Sequence, residues 1–251
     1  MFRTAMAASA LALCLPASGL AQTVDELVAR NVAARGGAQA WRAVSSLRLT
    51  GQIDVGRGKL VPYVLEQKKP GKMRLEIDVA GQTAIQCYDG REGWKVAPYR
   101  GVKTPQPLSR EELREAAGPA DLYGPLFDYA SRGHTVELQG REMVEGRDTY
   151  KLKVTLPAGA VRWVYLDAAS ALEVKVEAVR RQGTRGRRVQ TYYHDWRPVE
   201  GLLIPHRYET RAEGSKESHR LTVETARVNP ALDDSRFAMK AAAPAGGGSG
   251  R

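Results

Sequence analysis

Leu47-Arg48-Leu49-Thr50-Gly51-Gln52-Ile53-Asp54-Val55 decides the fold class of this chain. Leu47, Leu49, Gly51, Ile53 and Val55 alternate with Arg48, Thr50, Gln52 and Asp54, the period of a strand with one face on a core and one in water. The pattern repeats outward from there. Strands are expected at Leu60–Gln67, Arg74–Val79, Thr83–Tyr88 and Trp94–Ala97, separated by Gly56-Arg57-Gly58, a basic turn around Pro70-Gly71, Ala80-Gly81 and Asp89-Gly90. The second half reads the same way. Val136 and Leu138, Tyr150 to Leu156, Val161 to Tyr165, Leu172 to Val176, Val189 to Tyr193, Ile204 to Tyr208 and Leu221 to Thr225 form a series of hairpins, with turns at Glu145-Gly146, Asp167 to Ser170, Gln182 to Gly186 and Glu200-Gly201. Eleven or twelve strands are more than most flat sheets hold. Exposed edges aggregate, so such a sheet must close on itself or be covered.

Helical signals interrupt the strands in two places. Thr23 and Glu26 form a capping box ahead of Val24, Leu27, Val28 and Val32, which share one helical stripe ended by Gly36-Gly37. A short turn or two from Ala38 to Val44 carries Trp41. In mid-chain, Pro98 to Pro107 reads as a loop and Ser109 with Glu112 caps a short helix. Pro119 to Ala130 reads as a weak helix with Leu122, Leu126 and Tyr129 on one face and Phe127 beside them, bent at Gly124-Pro125. This apolar segment is expected to act as a movable lid on a cavity.

Met1 to Ala21 has the order of an export signal. Arg3 is the basic start, Ala5 to Leu15 an apolar core too short to span a bilayer, and Gly19-Leu20-Ala21 a small-residue exit, with cleavage before Gln22. The mature part, 22–240, is expected to be a single domain followed by a disordered Ala/Gly/Pro/Ser-rich tail at 241–251, acting as a monomer in the periplasm. The formal net charge is +10, and losing Arg3 with the leader leaves about +9. That balance favours anionic partners such as phospholipid head groups, and export excludes nucleic acid as the natural one. Cys14 leaves with the leader, and Cys87, in an alternating strand, cannot form an internal disulfide alone. It reads as a small buried hydrophobe rather than a reactive thiol.

The residues carry no catalytic pattern. His134, His194, His206 and His219 have no zinc-site spacing. No serine sits in a nucleophile elbow, and no glycine-rich phosphate loop precedes a helix. The chain is therefore read as a non-enzyme that needs no cofactor and no metal. Arg180, Arg181, Arg185, Arg187 and Arg188 flank one hairpin turn. They read either as a solvated tip or as a patch that docks on anionic surfaces.

Three stretches together carry a family resemblance. They are Val24 to Val28 through Gly36-Gly37 to Leu47–Gly51; Tyr88-Asp89-Gly90 with Gly93-Trp94; and Asp195-Trp196-Arg197-Pro198-Val199-Glu200-Gly201-Leu202-Leu203-Ile204-Pro205-His206, followed by Val228-Asn229-Pro230 and Phe237. In this order they resemble the LolA-like superfamily of outer-membrane lipoprotein-sorting proteins. The resemblance implies an α+β chain, an unclosed antiparallel β-barrel of about eleven strands with helices over its concave face and an apolar cavity for acyl chains. On that basis Leu49, Ile53, Ile77, Ile85, Trp94, Leu122, Leu126, Phe127, Tyr129, Trp163, Tyr165 and Tyr193 are expected to line the cavity and its lid. The partners implied are lipid or lipoprotein acyl chains, and an inner- or outer-membrane protein. A second role carried by the resemblance is that of an envelope sensor or scaffold like MucB/RseB, which binds a membrane-protein partner.

Overall fold

The computed structural model describes residues 22–239 apart from 57, 183, 184 and 216. The leader assigned to 1–21 and the tail at 241–251 lie outside the described residues. The chain opens with α1 (Val24–Ala34) and α2 (Ala38–Ala43). Strands β1 (Ser46–Asp54), β2 (Leu60–Lys68), β3 (Lys72–Val79), β4 (Gln82–Tyr88), β5 (Gly93–Ala97) and β6 (Val102–Pro107) follow, then α3 (Arg110–Ala120). The second run is β7 (Thr135–Val144), β8 (Arg147–Thr155), β9 (Val161–Asp167), β10 (Glu173–Gln182), β11 (Arg185–Val199), β12 (Leu202–Ala212) and β13 (Ser218–Val228).

All thirteen strands join one antiparallel sheet in the order β6-β5-β4-β3-β2-β1-β13-β12-β11-β10-β9-β8-β7. The last strand pairs with the first, so the two runs of hairpins share a centre and leave β6 and β7 as free edges. The barrel is not closed. Both edges are poor templates for another chain: β6 carries Pro105 and Pro107, and β7 carries Glu137, Arg141 and Glu142 with a register break between Leu138 and Arg141.

Two sequence expectations are corrected here. Pro98–Pro107 is not a loop but a single 3-10 turn followed by β6, the strand that raises the count from twelve to thirteen. Its prolines lack the N–H of an interior strand and are tolerated because β6 is an edge. The segment expected as a weak helix from Pro119 to Ala130 is irregular: α3 ends at Ala120, and turns carry the chain to His134. Gly124, at φ +75°, breaks the helical path its apolar spacing suggested.

The capping boxes form as read. Thr23 and Ser109 each accept from the backbone of the residue three ahead, whose glutamate bonds back to the cap N–H. Gly51 is needed for a different reason. It sits at a bulge where β1 meets β13, and a Cβ there would lie 1.9 Å from the Thr222 carbonyl oxygen.

Register sorts the side chains into two faces. On the concave face Leu47, Leu49, Tyr63, Leu202, Ile204 and Val223 pack with Trp41, Val44, Leu122 and Phe127. Beside them Leu152, Val154, Val164 and Leu166 pack with Leu27, Val28 and Leu126. α3 covers Met73 and Leu75 on the other flank through Ala116 and Ala120. On the convex face a C-terminal arm follows β13. The Asn229 side chain accepts from the Ser45 N–H and hydroxyl. Lys68 and Lys72 pair with Asp234, Arg236 pairs with Glu66, and Phe237 is buried, its carbonyl taking the Trp94 indole N–H.

Candidate functional site

α1, α2 and the 121–134 turns plug one end of the half-barrel. Leu27 and Val28 point from α1 into the core, and Asn31 on the same face donates to the Ala171 carbonyl at 2.8 Å. Gly36 lets α1 turn sharply beside the β11–β12 hairpin, where a Cβ would meet the Gly201 oxygen at 2.4 Å. The Arg35 carbonyl then accepts from Leu203 N–H and from the Trp41 indole, both at 3.0 Å. The Arg35 guanidinium lies 4.4 Å from the Trp41 ring centre, donates to the Tyr123 carbonyl at 2.9 Å and pairs with Glu173 at 3.3 Å. One buried arginine thus ties helix, plug and sheet together. It is stable there because it is paired and stacked.

The plug is pinned on its outer side too. Arg132 donates to Gly124 and Phe127 carbonyls and pairs with Asp121 at 2.7 Å. His134 Nδ1 meets the Pro125 carbonyl at 2.9 Å, and the Tyr129 hydroxyl donates to Asp25. Leu126 is 1% exposed. Leu122 and Phe127 enter one cluster and Leu126 the other, so the expected single lid face is in fact split over two packing sites.

Beyond the plug, toward the far ends of the same strands, lies a less completely covered stretch of the concave face, the recess. Ile53, Ile77, Leu221, Tyr208, Tyr193 and Val176 share that face by register and are all half-buried. Tyr193 and Tyr208 meet edge to face at 5.5 Å. Burial, then the nearby Glu173, push the Tyr193 phenol up to about 12. Burial raises Tyr63 and Tyr208 further. All three therefore stay neutral near pH 7, and the recess presents apolar carbon with uncharged hydroxyls. The buried Tyr63 hydroxyl has no hydrogen-bond partner among the described residues. A second opening, a groove of about 550 Å³, runs between α1 and residues 128–131 over Val28, Ala29, Val32 and Ala33.

The residues singled out in the sequence divide between two faces. Leu49 lies under the plug, while Ile53, Ile77 and Tyr193 face the recess. Leu122, Leu126, Phe127 and Tyr129 belong to the plug itself. Ile85, Trp94, Trp163 and Tyr165 lie on the convex face and cannot line the same cavity. Ile85 and Trp94 alternate away from Ile77, and Trp163 and Tyr165 pack with Val144, Val174 and Tyr192 outside. Alternation separates two faces but does not say which is inside. Both faces here carry aromatic side chains, so size was no guide. Tyr208, Leu221 and Val176 were legible as inward members of their strands once β13 was known to pair with β1.

In the hairpin tip, Arg180 and Arg187 are exposed and directly opposite each other. Arg188 stacks over Trp163 and lies 3.6 Å from Glu177. The side chains of Arg181 and Arg185 lie outside the described residues. Cys87 is fully buried on the convex face. Burial pushes its thiol up to about 11 despite the neighbouring Arg74. Among the described residues no group of three or more His, Cys, Asp or Glu could hold a metal ion. No described helix is long and apolar enough to cross a membrane.

No protein-family model matches the chain, and no curated protein matches it. Solved structures do. A LolA superfamily protein from Nitrosomonas europaea superposes with a TM-score of 0.59 at 16% identity, covering 87% of this chain and 98% of that one. A DUF1329 family protein from Desulfovibrio piger gives 0.56 at 15% identity, covering 86% and 97%. A domain named for outer-membrane lipoprotein sorting from Vibrio parahaemolyticus gives 0.56 at 14% identity, also covering 86% and 97%. Likeness at such identities speaks to architecture: the chain has the LolA-like fold, an unclosed β-barrel with helices over its concave side.

Proposed function

We propose that this protein is a periplasmic carrier that takes an acyl chain into the recess between the open half of the sheet and the plug. The observation that carries the reading is the row Ile53, Ile77, Leu221, Tyr208, Tyr193 and Val176, left half-buried on a concave face whose other end is fully packed. Apolar side chains at the bottom of a concavity gain most from an apolar occupant. Each buried methylene contributes about 0.8 kcal/mol, so a long chain is held without a charged contact. The neutral tyrosines supply hydroxyls that tolerate an ester or amide at the head of the chain. The LolA-like fold supports the reading, as does the naming of one neighbour for lipoprotein sorting.

The basic tip fits delivery to an anionic membrane. Arg180 and Arg187 repel each other across the hairpin, and an anionic surface relieves that repulsion. Native mass spectrometry of protein purified from cells tests the carrier role. Co-purifying lipid is expected in the wild type and lost in Ile77→Asp, with far-UV circular dichroism unchanged. A clean apo mass that survives incubation with lipid, together with a membrane-protein partner retained on pull-down, would replace the carrier with a scaffold.

A further inference from the structure

The centre of the convex face holds a basic crease that the carrier role does not use. Arg48 of β1 stands directly opposite Arg227 of β13, and Thr50 directly opposite Thr225. Like charges placed opposite each other destabilise a sheet. Two other arginines on this face are neutralised: Arg74 bonds Glu76 at 2.6 Å, and Arg236 bonds Glu66 at 2.7 Å. Arg48 reaches that same Glu66 only at 3.7 Å. The Arg227 side chain is exposed and has no hydrogen bond or ion pair among the described residues. The row therefore ends in two guanidinium groups, of which only Arg48 is near a carboxylate, and that one, Glu66, is already committed to Arg236. The bulge between Thr50 and Gly51 interrupts the register beside them and opens the crease. The resulting hollow is about 180 Å³ and is lined by Arg48, Thr50, Thr225 and Arg227.

We propose that these four residues form an oxyanion site that takes a phosphate group. Two arginine forks and two hydroxyls are donors suited to the several terminal oxygens of a phosphate, and the guanidinium fork matches phosphate geometry better than a point charge does. The hollow equals roughly six water volumes, enough for one phosphate and part of its hydration. A bound dianion removes the Arg48–Arg227 repulsion. The site lies on the opposite side of the sheet from the recess, so its occupant does not compete with an acyl chain, and it stands whether or not the carrier reading holds. Free phosphate and a lipid phosphate share this chemistry.

The test is a titration of the uniformly ¹⁵N-labelled protein with inorganic phosphate, against chloride at matched ionic strength. Saturable amide shifts are expected at residues 48–51 and 222–227 with phosphate alone. Arg227→Gln, which breaks no side-chain contact among the described residues, is expected to weaken binding at least tenfold, and Thr225→Val several-fold, while Arg91→Gln, in the exposed β4–β5 turn, leaves it unchanged. Vesicles of phosphatidylcholine with and without phosphatidic acid identify the source. Binding that requires phosphatidic acid and Arg227 assigns a lipid head group, and binding of inorganic phosphate without it assigns a soluble phosphate. Equal behaviour of wild type and Arg227→Gln in both arms overturns the proposal, as does a response to chloride equal to that to phosphate.

Discussion

Phe237→Ala should unlatch the C-terminal arm and expose Cys87. Phe237 is 2% exposed, and its carbonyl takes the Trp94 indole N–H at 3.2 Å. The arm's pairs with Lys68 and Lys72 are weaker, since Asp234 is 64% exposed there. Removing a buried phenyl ring costs about 3–5 kcal/mol. Because the arm lies outside the thirteen-strand ladder, that loss falls on local opening rather than on the whole sheet. At about 1.4 kcal/mol per factor of ten, even the lower figure raises the open population roughly 100-fold. Cys87 lies beneath the Arg236 carbonyl at 3.7 Å, and burial pushes its thiol up, so in the closed state it stays protonated at pH 8. Labelling by an aromatic disulfide reagent at pH 8 therefore reports arm opening. A rise of about 100-fold in labelling rate, with a urea midpoint close to wild type, is expected. An unchanged rate, or a rate that rises only in proportion to global unfolding, would refute the latch.

Other perturbations follow from the same contacts. Asn229 sits at φ +54° and also donates to the Ala43 carbonyl; Asn229→Ala should cost about 2–3 kcal/mol in urea unfolding, and Asn229→Gly about 1 kcal/mol less because glycine adopts that φ freely. On the convex face burial works against the Glu177 charge, but the Lys175 hydrogen bond and charge outweigh it and hold the carboxyl below its ordinary value. The stability it adds is present above the ordinary carboxylate range and is lost as pH falls through the depressed value. Glu177→Gln should therefore lower stability at pH 7 and flatten the acid limb of the stability–pH profile. Leu126→Ala should cost about 2–5 kcal/mol in denaturant unfolding, as expected of a core residue rather than a free lid. Changing Arg180 and Arg187 together to Gln should weaken docking on anionic vesicles by about 2 kcal/mol at low salt. The difference should shrink as salt rises, whereas lipid capture in solution stays intact.

What the sequence determined by itself is local. Period-two alternation placed twelve of the thirteen strands, and the Thr23–Glu26 and Ser109–Glu112 boxes placed both capped helices, because hydrogen bonding and side-chain direction repeat within a few residues. β6 was illegible because its prolines deny a strand signal that only its edge position excuses. The 121–134 plug was illegible because apolar spacing there reflects two separate packing sites, not one helical face. The site depended on tertiary structure throughout. Pairing of β13 with β1 fixed which side of thirteen strands is concave, and so sent Ile77 and Tyr193 inward and Trp94, Trp163 and Tyr165 outward. That pairing joins residues as far apart as Leu47 and Val228. It also brings Arg48 against Arg227. Alternation records each strand's two faces, whereas curvature, which decides inside from outside, arises only when the whole sheet is assembled and a plug fills one end.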